Sequence, residues 1–111
     1  MAYGACVYVK SLTNSNIVKR CNLLCAKSRI APIKTVSLPR LELCAAVLLS
    51  ELMSKVENSL RLKVNRKIYY SDSTIVLAWI KSCPSRWKTF VANRIVEIHL
   101  RSNKDDWYHV L

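Results

Sequence analysis

A long amphipathic stretch in the middle of the chain constrains the fold more than any other feature. Ser37 suits the N-cap position, and Pro39 falls in the first turn, where its missing N–H costs nothing. From Leu41 to Leu60, apolar residues recur mostly at intervals of three and four, and Ser50 falls on the polar side. The apolar positions are Leu41, Ala45, Leu48, Leu49, Leu52, Met53, Val56 and Leu60. This pattern predicts one long helix with a single buried face.

Shorter segments on both sides of this helix carry the patterns of strands and helices. Before it, residues 3–9 and 17–28 predict a hairpin around the turn-forming residues 11–16. After it, the patterns predict a strand at 67–71, a short helix capped by 72–74 and ending near Ile80, a helix at 87–100 and a strand at 107–111. The order β-β-α-β-α-α-β predicts an α/β fold with helices packed on a mixed, partly antiparallel sheet.

The charge of the chain predicts a polyanionic partner. Lys and Arg number 18 against 7 Asp and Glu, which gives a formal net charge of +11 on 111 residues. Such an excess is typical of proteins that bind nucleic acid or an acidic membrane surface. The long helix has few lysines on its polar face, which argues against a membrane. Gly4 is the only glycine, so glycine-rich phosphate loops and dinucleotide-binding motifs are excluded.

The cysteines and the N-terminal residues bear on where the protein functions. Five cysteines are an odd number without the spacing of a disulfide framework. The first ten residues lack the charged start and long apolar run of a signal peptide. We therefore expect an intracellular protein, cytoplasmic or nuclear, with reduced thiols.

Glu42 and Asp72 are candidate metal ligands. Glu42 has the same helical angle as Leu60, at the edge of the predicted buried face, where an unpaired carboxylate is costly. It is either a first-turn glutamate that interacts with the helix N-terminus or a metal ligand. Asp72 either caps the next helix or, between a strand and a helix, binds a ligand. Two carboxylates in such places suggest Mg²⁺, which on a basic surface would suit phosphodiester chemistry.

Basic and aromatic residues are interleaved in the segment 79–90. Lys81, Arg86 and Lys88 are candidate phosphate contacts, and the alternative is a solvated basic face without a ligand. We expect the aromatic residues of this segment to serve mainly in packing; they are Trp79, Trp87 and Phe90.

Four blocks of sequence stand in an order that a known family shares. They are LCAKSRIAP at 24–32, SLPRLELCAA at 37–46, YSDSTIVLAWI at 70–80 and WKTFVANR at 87–94. Together they resemble the ribonuclease H-like region of Pao/BEL-type LTR retrotransposon polyproteins, and the resemblance covers nearly the whole chain.

This resemblance implies a ribonuclease H-like fold and hydrolysis of the RNA strand of RNA–DNA hybrids with Mg²⁺ held by acidic residues. Glu42 matches the family's helix carboxylate, and Asp72 matches its strand-end carboxylate. An RNA–DNA hybrid is then the expected nucleic-acid partner of the basic residues, and the remainder of a reverse transcriptase polyprotein is a further expected partner.

The resemblance also implies two acidic residues that this sequence lacks. One belongs to the first, central strand, and Met1 stands where that part of the strand ends; the other follows the Trp-Tyr-His-Val motif, and the sequence ends at Leu111. We therefore expect residues 1–111 to form a single partial ribonuclease H-like domain that lacks the start of the first strand and the C-terminal end. We expect it to be catalytically inactive or nearly so, and marginally stable. The alternatives are a non-catalytic nucleic-acid-binding module and a non-functional gene fragment.

Overall fold

A computed structural model describes residues 2–12, 18–30, 37–60 and 66–110 of the chain. Its strands and α-helices are β1 (Ala2–Leu12), β2 (Val18–Ile30), α1 (Leu38–Leu60), β3 (Tyr69–Ser71), α2 (Thr74–Lys81), α3 (Thr89–Arg101) and β4 (Trp107–His109). Short 3₁₀ turns at Pro84–Arg86 and Lys104–Asp106 precede α3 and β4. The predicted order of elements and the mixed α/β class are confirmed. Most of the predicted turn at 11–16 lies outside the described residues.

The described strands form two separate pairs. β1 and β2 pair antiparallel, from Ala2 opposite Ile30 onwards, with an irregularity in register between Val7 and Tyr8. β3 and β4 pair parallel, with Tyr69 opposite Trp107. The expectation of one mixed sheet is therefore wrong for the described strands, because no hydrogen-bonded strand among them joins the hairpin to the parallel pair.

The long helix α1 is buried on two sides. At about 100° per residue, Leu43, Ala46, Val47 and Ser50 share one side, and a second buried set lies on the opposite side. That second set consists of Leu41, Leu48 and Leu52. The first side faces the core formed with α2, α3, β3 and β4, and α1 also contacts the hairpin through β1. The prediction of a single buried face was wrong, because α1 packs against both the hairpin and the other helices.

Ser50 shows what this two-sided packing requires. The sequence pattern places it on the polar side, yet it is fully buried. Its hydroxyl donates a hydrogen bond to the carbonyl oxygen of Val47, 2.7 Å away. Since the helix itself satisfies the hydroxyl, burial of this polar side chain carries no unpaired group.

The main core lies between α1, the other two helices and the parallel strands. Tyr69 and Trp107, both almost fully buried, stack with ring centroids 4.7 Å apart. The indole N–H of Trp107 donates to the hydroxyl of Ser102 at 2.9 Å. The ring nitrogen Nε2 of His99 lies 2.6 Å from the carbonyl oxygen of Ile80, which ties α3 to the end of α2. None of the described helices is both long and apolar enough to cross a membrane.

Candidate active site and nucleic-acid interface

Asp72 follows the last residue of β3, and its side chain is exposed. The N-cap of α2 is Ser73, whose hydroxyl accepts a hydrogen bond from the backbone N–H of Val76 at 3.2 Å. The backbone N–H of Ser73 in turn donates to the hydroxyl of Ser71 at 3.1 Å. The interpretation of Asp72 as the cap is therefore wrong, because Ser73 occupies that position. The carboxylate of Asp72 is left available to solvent at a strand–helix junction.

His109 lies beside Asp72, and its sequence context predicts no role for it. Because β3 and β4 run parallel, their carboxyl ends meet at one edge, where Ser71 pairs with His109. The imidazole Nε2 of His109 lies 3.3 Å from the backbone carbonyl oxygen of Asp72. The pairing of two three-residue strands 38 positions apart is what brings these residues together, and no local sequence pattern encodes that pairing.

Glu42 lies in the second turn of α1 and is half-buried. The first turn of α1 contains no acidic residue, so the interpretation of Glu42 as a first-turn glutamate is wrong. At about 100° per residue it falls between the two buried sides of the helix, next to Leu49 and Met53, which are themselves partly buried against the core. The predicted position at the edge of a buried face is confirmed.

The described residues do not assemble a complete magnesium site. Within 2–12, 18–30, 37–60 and 66–110, no three His, Cys, Asp or Glu side chains come close enough together to hold a metal ion. Asp105 and Asp106 lie in the 3₁₀ turn before β4. Carboxylate oxygens are suitable ligands for Mg²⁺, but Glu42 and Asp72 alone are too few to form a closed site.

The three candidate phosphate contacts surround the connection from α2 to α3. Lys81 is the last residue of α2, Arg86 ends the 3₁₀ turn, and Lys88 is the N-cap of α3. All three are exposed, and none has a carboxylate within 4 Å in the described part of the chain, where the ion pairs join other residues. The connection therefore presents three cations to solvent.

The aromatic side chains in and next to this connection pack against the main core. Trp79, Trp87 and Phe90 are half-buried against the main core. The two indoles meet edge to face with centroids 6.1 Å apart, and the N–H of Trp87 donates to the hydroxyl of Ser82 at 2.6 Å. Their predicted packing role is confirmed.

The thiol of Cys83 lies in the positive potential of the same connection. This exposed thiol lies 3.1 Å from the hydroxyl of Ser85, and hydrogen bonding to Ser85 lowers the pKa of the thiol. The positive charges of Arg86 and Lys104 lower this pKa further. Lys104 therefore adds a cation that could not be predicted here from the sequence, because it lies in a different turn.

Comparison with family models identifies the chain. The model described as the Pao retrotransposon-like RNaseH-like domain matches residues 1–73. The chain belongs to this family. Comparison with curated proteins and with solved structures gives no match.

The segment that matches the Pao family includes both candidate carboxylates. Residues 1–73 span the hairpin, α1 and β3, and they end immediately after Asp72. The basic connection and His109 lie beyond the matched residues. The resemblance to a Pao/BEL ribonuclease H-like region is therefore confirmed, whereas the roles of individual residues remain predictions.

Proposed function

We propose that this Pao-type ribonuclease H-like chain binds an RNA–DNA hybrid through the connection between α2 and α3 and does not hydrolyse it alone. The observation that carries the proposal is the exposure of Lys81, Arg86 and Lys88 without carboxylate partners among the described residues. Nucleic-acid phosphates attract such cations, and release of counterions from the duplex supplies the free energy.

The excess charge of the whole chain supports the same partner. At a net charge of +11, the chain attracts a polyanion over distances comparable to the Debye length of about 8 Å at physiological salt. Among the described residues, Arg29 pairs with Glu51 and Lys67 with Glu57, which involves only a minority of the cations. The remaining positive charges therefore contribute to attraction, and the cations of the connection give the contacts.

Glu42 and Asp72 are proposed as two carboxylates of the family's Mg²⁺-binding set. Asp72 is exposed and free of any capping role, and Glu42 lies half-buried in the second turn of α1. Mg²⁺ dehydrates reluctantly and needs several oxygen ligands, so two carboxylates hold it weakly. This is why binding without hydrolysis is proposed for the 111-residue chain. The remainder of a reverse transcriptase polyprotein is the proposed partner that would complete the activity.

A charge-matched substitution experiment tests the interface. The triple variant Lys81→Gln, Arg86→Gln and Lys88→Gln is compared with a control that removes the same residue types elsewhere. The control is Lys27→Gln, Lys55→Gln and Arg66→Gln, on β2, on α1 and just before β3, all exposed. Affinity for a fluorescein-labelled RNA–DNA hybrid is measured by fluorescence anisotropy at several salt concentrations.

The interface variant should bind more weakly than the control, and its slope of log K against log salt should be smaller by roughly 2 to 3. The control should change the slope much less, because its charges act only through the overall field. Equal losses in the two variants would contradict a localised interface. They would show that only the net charge attracts the hybrid.

A further inference from the structure

Two arginines from different helices meet on one phenylalanine ring. The guanidinium carbon of Arg94 lies 3.8 Å from the ring centroid of Phe90, and that of Arg40 lies 4.9 Å from it. Arg40 is in the first turn of α1, while Phe90 and Arg94 are in the first two turns of α3. All three side chains are half-buried. The contact joins residues fifty positions apart, and the proposed hybrid interface does not use it.

This arrangement brings two positive charges to one phenylalanine ring, and neither guanidinium forms an ion pair with a described residue. Glu51 and Glu97 line a cavity together with Arg94 but lie more than 4 Å from its guanidinium. Neither guanidinium has a carboxylate within 4 Å among the described residues, whose ion pairs involve Arg29 and Lys67 instead. Like charges near one ring repel each other, whereas each cation–π contact stabilises its own arginine. A bound anion would remove the repulsion that remains.

The arginines are also held in position before any ligand arrives. A guanidinium N–H of Arg94 donates to the backbone carbonyl oxygen of Phe90 at 3.3 Å, and the ring restricts both side chains. Guanidinium groups present several N–H donors in a planar fork that matches phosphate oxygens. Because less side-chain freedom is lost on binding, a pre-positioned pair binds an anion better than two free surface arginines.

We propose that Arg40 and Arg94, held against Phe90, form a phosphate-binding site. Arg40 and Glu42 are two positions apart on α1 and therefore point to nearly opposite sides of the helix, so the site is separate from Glu42. Its ligand is a phosphate group, either of a nucleic-acid backbone or of free inorganic phosphate. The geometry described above supports the site. Only the assignment of the phosphate to a nucleic acid depends on the proposed function.

Nuclear magnetic resonance of the arginine Nε–H groups tests the site in the full chain. Inorganic phosphate is titrated at constant ionic strength, and the signals are assigned with Arg40→Lys and Arg94→Lys. The Nε–H signals of Arg40 and Arg94 should shift saturably, whereas that of Arg101, on the last turn of α3, should not. Equal or non-saturating shifts at all three arginines would overturn the proposal.

Two further variants separate a built site from surface charge. Phe90→Leu keeps both cations and removes the ring, so affinity for phosphate should fall roughly threefold or more. Arg40→Gln removes one cation from a half-exposed position and should abolish saturable binding of phosphate. If Phe90→Leu does not fold, this variant still tests the proposal. Unchanged phosphate affinity in Arg40→Gln, or in a folded Phe90→Leu chain, would overturn the proposal.

A second titration, with a short RNA–DNA hybrid, identifies the source of the phosphate. Shifts of the Arg40 and Arg94 signals with both probes support a nucleic-acid backbone as the ligand. Shifts with inorganic phosphate but no binding of the hybrid support the site with free phosphate and contradict the proposed function. Binding of the hybrid with no response of these arginines to either probe overturns the site and leaves the proposed function standing.

Discussion

The hydroxyl of Ser73 accepts a hydrogen bond from the backbone N–H of Val76, 3.2 Å away, and so caps α2. Asp72, one residue earlier, has an exposed side chain at the end of β3. A carboxylate at a helix N-terminus usually needs no explanation beyond capping. Here that explanation belongs to the neighbouring serine, and Asp72 is open to a role in binding.

Substitution of Ser73 should destabilise the fold more than substitution of Asp72. Ser73→Ala removes the cap of α2 and should lower the free energy of unfolding by about 1 kcal/mol. Asp72→Ala should change it by about 0.5 kcal/mol or less, because its carboxylate is exposed. Urea unfolding followed by circular dichroism measures the free energy of unfolding of both variants. A loss for Asp72→Ala as large as that for Ser73→Ala would show that Asp72 helps to cap the helix.

Neutralising the candidate carboxylates should strengthen binding of the hybrid when no metal is present. In EDTA, the charges of Asp72 and Glu42 repel nearby phosphates, so Asp72→Asn and Glu42→Gln should each raise the affinity by at most about fivefold. Glu57→Gln is the control, because it removes the same charge 15 residues along α1 from Glu42, about 22 Å away. An equal gain for Glu57→Gln would mean that only net charge matters. Fluorescence anisotropy with the labelled hybrid gives all three affinities.

Alkaline pH should destabilise the protein through Tyr69. Burial first, and then the negative charges of Glu57 and Asp106, together raise the pKa of Tyr69 to about 12. The folded state therefore holds this proton more tightly than the unfolded state does, whose ordinary value is 10.0. The stabilisation is complete below pH 10 and is lost as the pH rises towards 12.

The variant Tyr69→Phe isolates this effect. It has no phenolic proton, so its free energy of unfolding should fall less than that of the wild-type chain between pH 9 and about pH 12. Urea unfolding at a series of pH values gives the difference between the two proteins, in which titration of the other tyrosines and lysines cancels. Parallel curves over this range would contradict the assignment to Tyr69.

Much of the fold could be predicted because the local signals agree with the structure. The Ser37–Pro39 start places α1 within a residue of its observed beginning at Leu38, and the order of all the later elements is correct. Local sequence signals could not predict which sides of α1 are buried. Ser50 is fully buried because two different partners cover the helix, and its hydroxyl is satisfied by the carbonyl of Val47. A sequence pattern shows a polar residue but not which elements will pack around it.

The candidate site, too, could be predicted only where local sequence patterns determine the position of a residue. The positions of Glu42 and Asp72 could be predicted from helical angle and from the strand–helix junction. The neighbourhood of His109 and Asp72 depends on the parallel pairing of β3 with β4. The contact of Arg40 with Phe90 depends on how α1 crosses α3. Such contacts join distant parts of the chain, so local spacing carries no signal for them.

The most direct test of the central claim is one titration of the purified 111-residue chain with a labelled RNA–DNA hybrid in Mg²⁺, followed by both anisotropy and gel analysis of the RNA strand. We expect saturable binding that weakens steeply between about 50 and 200 mM salt, with the RNA strand intact at the end. Binding that does not respond to salt would contradict the phosphate interface. Mg²⁺-dependent cleavage that Glu42→Ala abolishes would contradict the proposal that the chain alone binds without cutting.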